Sequence, residues 1–391
     1  MEYDYIIIGA GIAGLYAGYK LSNKTNENIL IIEKNSYIGG RAQNINFHGS
    51  QIPIGAGIGR YKKDKLLKAL LKTFNIPINK FTININYSFD NLDVKKIFDN
   101  LKSKYSGEKH LTFKQYALKH LGKEKYNLLT KSIGLTDYEN EDVEETLFWY
   151  GMEDNIGGWD GFHVPWNDLI SNLAQSIRSN GNKIKKNCEV IKIETKNDRL
   201  EIITSENKYF AKKVIIACEI QGIKKLLPEF SRLYSNIKSN SFMRIYAHFT
   251  KNNRPQMDDI ISSTTHVNSL LYKIIPINKS SGIYMIAYSD NKAADKLNLL
   301  LNSDDKIVWL EKLVSKSLNL KEQIEINDIV FFYWKNGTHY FRPLSETIYK
   351  TREKYIQVSQ NPKSNIYVCG EAVARSHGWV EGTLESVELI L

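Results

Sequence analysis

The chain has 391 residues, 42% of them hydrophobic and 11% aromatic, which is enough for a sizeable core and too many for one typical domain. Its formal charge of +10 comes from lysines scattered along the whole length, so a dedicated nucleic-acid surface is not expected; the densest run (62–72) carries leucines at helical spacing and reads as an amphipathic helix. The three cysteines are widely separated with no metal-ligand spacing, no basic leader precedes the first apolar run, and no stretch approaches the roughly 20 apolar residues that cross a bilayer, so a soluble cytoplasmic protein is expected.

In chain order, "YDYIIIG" reads as a buried parallel strand, "IAGLYAGYKLS" as the helix after it and "NILIIEK" as a second strand, the whole a right-handed βαβ unit. Between the first strand and its helix stands G-x-G-x-x-G, formed by Gly9, Gly11 and Gly14. The first glycine permits a tight turn, the second lets the backbone approach a pyrophosphate, and the third lets helix and strand pack closely. Glu33 closes the second strand, where an acid accepts hydrogen bonds from a ribose diol. These residues imply a dinucleotide without separating FAD from NAD.

Next, "YIGGRAQN" sets Gly39, Gly40 and Arg41 just beyond the acid. A helix is expected over 63–76, strands over 77–90, and mostly helix over 94–150. "NDLISNLAQSIRSNG" begins a second helix–strand block that runs through "CEVIKIET", "RLEIITS" and "KKVIIAC". Strands with helical interludes fill 240–350, and "NIYVCGEA" is a last buried strand ending in a glycine and an acid. Sheet-like runs therefore fall at the start, the middle and the end. The expected fold is α/β (α+β overall): a discontinuous Rossmann-like dinucleotide-binding domain (1–76, 182–232 and 363–391). Into it is inserted a mixed-sheet and helical substrate domain (77–181 and 233–362, helical over about 94–150).

The pairing of "EKNSYIGGRA" with the far "CGEA…HGWVEGTLES" resembles the flavin-dependent amine oxidase family, which includes monoamine, polyamine and L-amino-acid oxidases. "NGNKIKKNCEVIKIE" is similar to its middle FAD segment and "IPIGAGIGRYKKDKLLKALLKTFNI" to its loop and helix after the arginine. The resemblance implies non-covalent FAD. It puts Gly9, Gly11, Ile12, Ala13 and Gly14 at the pyrophosphate, Glu33 and Lys34 at the adenosine ribose, and Gly40 and Arg41 near the phosphates. Val190 would meet the adenine through its backbone, and Gly370 and Glu371 the ribityl or phosphate portion. Gly378, Trp379, Val380 and Thr383 would lie at the flavin pyrimidine, where a helix N-terminus stabilises negative charge. Cys369 does not match the family's covalent-attachment position, and no membrane-anchoring tail is expected beyond "VELIL".

The reaction implied is removal of a hydride equivalent from the carbon bearing an amine, delivered to flavin N5, with O2 as acceptor. Trp379 would form one wall of an aromatic cage, and Tyr340, in "GTHYFRP", the other. The loop Gly57, Ile58, Gly59 and Arg60 lines up near the cofactor, with Arg60 expected to clamp a substrate carboxylate; the alternative is an arginine in solvent or on an FAD phosphate. An L-amino acid is the substrate expected from that clamp. Arg244 falls where many members place a lysine near N5; it can hold a water or an anion but cannot act as a base, and a surface position on an edge strand is the other reading. The remaining alternatives are a desaturase or isomerase of the same fold and a non-catalytic FAD-binding protein. Expected partners are a small-molecule amine or amino acid and O2, with no specific nucleic acid, metal or membrane, and a homodimer left open.

Overall fold

A computed structural model describes residues 2–24, 26–196, 198–250, 252, 254–344 and 349–391. The first strand, Glu2–Ile8, runs parallel to Ile29–Ile32 on one side and to Lys208–Ile216 on the other. Lys183–Lys185 extends the sheet beyond the second strand. The 208–216 strand also carries the antiparallel pair Arg199–Thr204 and Val190–Lys196 at its start, and Ile366–Val368, parallel, at its end. The first, middle and last segments of the chain thus build one seven-stranded sheet.

The unbroken apolar run of the first strand follows from burial on both faces, as parallel strands require. Tyr5 and Ile7 enter one core, with the helices Ile12–Lys24, Trp166–Ser179 and Val380–Glu388; Ile6 and Ile8 enter the other. The two helices Ile12–Lys24 and Trp166–Ser179 meet at Gly18, where a Cβ would lie 2.7 Å from Ile31 Cδ1 and 3.2 Å from Ile177 Cδ1. Residues 166–179, assigned by spacing to the inserted part, therefore pack in the core of the nucleotide-side sheet.

A second, six-stranded sheet is ordered Ile326–Phe341, Ile237–Phe249, Ile283–Asp290, Lys273–Asn278, Thr264–His266 and Ile85–Tyr87, all antiparallel except the last pair. Alternation along the 237–249 strand decides what each face meets. Met243, Ile245 and Ala247 pack in one core with residues of the helices Asn291–Leu300 and Lys306–Ser317. Tyr246, on the other face, packs against Phe47 and Ile52 of the hairpin Asn44–Phe47 and Ser50–Pro53. Four helices between 94 and 148 form a separate apolar cluster, and Ile58–Arg60, Trp159–His163 and Asn79–Ile83 form a three-stranded sheet. No helix among the described residues is long and apolar enough to cross a membrane.

Candidate active site

The N-terminal loop is shaped by two glycines. Gly9 turns at φ +105°, and a Cβ on Gly14 would lie 1.9 Å from the Gly9 carbonyl oxygen, so the helix can sit this close to the strand only without a side chain there. Gly11, by contrast, has nothing within 4 Å of its Cβ position, leaving the loop's outer face open. The Gly39 N–H donates to the Ala10 carbonyl at 2.7 Å, bringing Gly40 against Gly11. Ile12 and Ala13 are buried at the helix start, and Gly370 lies beside Ala13. Glu33 is buried and accepts from the N–H groups of Ala10 (2.8 Å) and Asn35 (2.9 Å), while the exposed Lys34 follows it. The Cys188 N–H donates to the Glu33 carbonyl at 2.9 Å, which sets Val190 near the same strand end.

The far end of the chain is held to this loop by Glu371. One of its oxygens accepts from the N–H groups of His339 (2.8 Å) and Gly378 (3.0 Å); the other accepts from His339 Nδ1 and pairs with Arg41 Nη2 at 3.4 Å. Arg41 also donates to the Gly337 carbonyl. Burial alone would raise the Glu371 pKa, but the His339 ring and Arg41 outweigh it and hold the carboxyl well below its usual range. The helix Val380–Glu388 starts after Gly378 and Trp379, and Thr383 packs into its buried side. Glu381 reaches out of this helix to accept from the Leu66 (2.7 Å) and Leu67 (3.0 Å) N–H groups, capping the helix Lys65–Thr73.

Asp64, at that helix's own N-cap position, is turned elsewhere: it accepts from the Arg60 N–H (2.7 Å) and from Arg60 Nε (2.8 Å). Arg60 Nη1 donates to Asp154 at 3.0 Å, and its guanidinium lies 4.1 Å from the Trp379 ring centre. Arg60 and Trp379 are therefore neighbours, but the donors of Arg60 go to two buried carboxylates of the protein itself. Gly59 packs against the Phe162 ring, and Ile58 pairs across to His163. Tyr340 is half-buried, with Arg342 and Glu141 as its charged neighbours, whereas the Trp379 ring meets Arg60 and Trp159.

Arg244 has a different setting. The Gly55–Gly57 loop is tied to the second sheet by Tyr246 Oη on the Pro53 carbonyl (2.6 Å) and Trp334 Nε1 on that of Ile54 (2.7 Å), and to the Trp166 indole through the Gly57 carbonyl (3.1 Å). This sets Arg244 over Gly57, whose Cβ would lie 3.2 Å from Nη2 and 3.4 Å from Nη1. The guanidinium stacks 4.7 Å from the centre of Tyr288, its cross-strand partner. Burial opposes its charge, but Tyr246 and Tyr288 outweigh that and raise its pKa.

Behind Tyr288 is a polar cluster that sequence reasoning missed. Lys273 is buried with Nζ 5.7 Å from the same ring, pulled down to about 8 by burial, with Asp137 and Asp290 favouring its charged form. Asp290 is pushed up by burial and by Asp137, and accepts from the N–H and hydroxyl of Thr136. Asp137 accepts from the Tyr150 hydroxyl at 2.7 Å. These residues lie outside any motif; Lys273 and Asp290 come from two strands of the second sheet, and the turn carrying Thr136 and Asp137 packs against them.

The described residues fit a flavin dinucleotide. The open face at Gly11, the acid at the strand end and the helix N-terminus beyond Gly378 converge, and Thr338 Oγ1 is buried there without a partner, its methyl 3.9 Å from the Cβ position of Gly378. The sequence matches the flavin containing amine oxidoreductase family over residues 105–387 and an NAD(P)-binding Rossmann-like domain over 7–74. The chain belongs to the flavin containing amine oxidoreductase family, and as such is a flavin-dependent oxidoreductase acting on a small-molecule amine, with FAD as its cofactor. It is 20% identical to an L-amino-acid oxidase of Demansia vestigiata, across 97% of this chain and 84% of the relative. It is 22% identical to the L-amino-acid oxidase of Echis ocellatus, across 98% and 87%. A putrescine oxidase structure superposes with a TM-score of 0.75 at 14% identity, covering 99% of this chain and 97% of that one, which shows a shared fold.

Proposed function

We propose that the protein oxidises the C–N bond of an L-α-amino acid, with O2 reoxidising a non-covalently held FAD. The reading is carried by the convergence of the Gly9–Gly14 loop, Arg41, Glu371 and Trp379 on one place. The two L-amino-acid oxidase relatives, spanning nearly the whole chain, support the amino-acid substrate.

Gly9, Gly11, Ile12, Ala13 and Gly14 would offer backbone N–H groups to the pyrophosphate, with Glu33 and Lys34 at the ribose, Val190 at the adenine, and Gly40 and Gly370 allowing close approach. Glu371 would act by aiming Arg41 and fixing the Gly378 N–H. Val380 and Thr383, in the first turn of the last helix, would stabilise negative charge on the bound ring. When bound, the flavin supplies the two-electron acceptor that the side chains lack. Trp379 would wall the site and exclude water, with Tyr340 as the candidate second wall. Cys369 is fully buried and its thiol is pushed far up by burial, which supports non-covalent attachment.

The test is an anaerobic visible titration of the purified yellow protein with L-amino acids and then with amines lacking the carboxylate. Bleaching by amino acids is the expected result. Bleaching by amines alone would overturn the amino-acid substrate, and a spectrum that neither class bleaches would overturn C–N oxidation.

A further inference from the structure

Three arginines are buried among the described residues: Arg60, Arg244 and Arg352, each 7% exposed. Arg60 is shared between Asp64 and Asp154. Arg352 is held by Glu145 at 3.2 Å and Asp142 at 3.5 Å. Among the described residues Arg244 has no carboxylate within ion-pair distance; its neighbours are the rings of Tyr246 and Tyr288 and the bare backbone of Gly57. Lys273, across Tyr288, has Asp137 and Asp290 near it, so its charge is already offset.

A buried charge without a counter-charge is costly, and proteins retain one chiefly where a ligand completes the pair. Aromatic hydroxyls and ring faces hold a guanidinium in place but do not neutralise it. A planar guanidinium carries paired N–H donors whose spacing matches a carboxylate. It also stays protonated, so its role is to bind an anion and not to move a proton.

We propose that Arg244 binds the carboxylate of the substrate, and that Arg60 is a structural residue whose task is to hold Trp379. This rests on the amino-acid reading above and changes which residue performs the recognition. Arg60 faces two buried carboxylates already; a third carboxylate there would be repelled. Arg244 sits where the loop Gly55–Gly57 meets the second sheet, and a guanidinium fits against that loop because Gly57 lacks a side chain.

The experiment titrates benzoate into the FAD-loaded protein and follows the perturbation of the oxidised flavin spectrum, which reads binding without turnover. Saturable binding is expected for the parent protein. Arg244→Met should raise the Kd about 10- to 100-fold, as loss of a charged hydrogen-bonded pair does. Arg244→Lys should fall between, and Arg60→Lys should stay near the parent value. The flavin absorbance and far-UV dichroism of each variant report that it has folded. An unchanged Kd in Arg244→Met, or no saturable binding to the parent protein, overturns the proposal. So does a variant that keeps benzoate affinity but shifts the flavin midpoint potential, since Arg244 would then serve the reduced ring. Should amino acids bleach the flavin while Arg244→Met binds benzoate normally, only this inference fails. Should amino acids fail to bleach it while Arg244 is still required for benzoate, only the substrate reading fails.

Discussion

The loop Gly55–Arg60 brings together two arginines, Arg60 at its end and Arg244 over Gly57, and they are opposites. At one end Arg60 is paired: its guanidinium bonds Asp64 and Asp154, Lys63 pairs with Asp154 from outside at 2.7 Å, and Trp379 covers its face. In its middle, at Gly57, the loop meets Arg244, which is as deeply buried and has no carboxylate partner among the described residues. Pairing within the protein marks architecture, because breaking it strands buried charge. An unanswered charge marks a place where the protein waits for a ligand. The same distinction separates Glu371, with protein donors on both oxygens, from a carboxylate free to meet a substrate.

The contrast should break most visibly at Arg60. Arg60→Met leaves the buried Asp64 without its cation and Asp154 with Lys63 alone, and thermal or denaturant unfolding should show a loss of about 3 kcal/mol. Arg244→Met removes an unpaired charge, so its stability should equal or exceed that of the parent. Equal losses in the two variants would erase the distinction.

Glu371 offers the next largest effect, read through pH. Its folded pKa lies below the ordinary 4.5, so the stability it contributes is present above that value and is lost as pH falls through the folded pKa. The parent protein should therefore lose stability on acidification from about pH 4.5 downward more steeply than Glu371→Gln, measured by unfolding midpoints across pH. Glu371→Gln should also release FAD more readily at neutral pH, because Arg41 loses the charge that aims it.

Smaller changes sharpen the Arg244 side. Gly57→Ala puts a methyl about 3 Å from the guanidinium. It should cost stability by only about 1 kcal/mol yet weaken carboxylate binding, measured as benzoate Kd. Trp379→Leu removes the ring over Arg60 and should cost about 1 kcal/mol from the lost cation–π contact, with a larger effect on kcat than on unfolding.

The glycine turn and the acid beyond it are legible in the sequence because their requirements are local. Gly9, Gly11 and Gly14 answer to one turn, Glu33 ends the strand that follows, and two-sided burial writes an apolar run into "YIII". The three-part sheet was legible too, since its strands keep that pattern at the start, middle and end of the chain. What was not legible depends on pairings across distance. Arg60 and Asp64 are four apart, but Asp154 is 94 residues away and reaches Arg60 only through the three-stranded sheet. The family resemblance implies a cofactor role for Glu371 but not its partners His339 and Arg41, which come from two other segments. The Arg244–Tyr288 stack follows from strand register, which alternation alone does not reveal, and the Lys273, Asp137 and Asp290 cluster also needs the turn at Thr136 and Asp137 docked on that sheet. The helix 166–179 looked like part of the inserted domain by position, whereas its apolar face completes the core beside Gly18.

The most direct measurement is a crystal structure of the FAD-loaded protein with benzoate bound. The account predicts the carboxylate within hydrogen-bond distance of the Arg244 guanidinium, with Arg60 still paired to Asp64 and Asp154. A carboxylate seated on Arg60, with Arg244 still facing only its two tyrosines and Gly57, would contradict it.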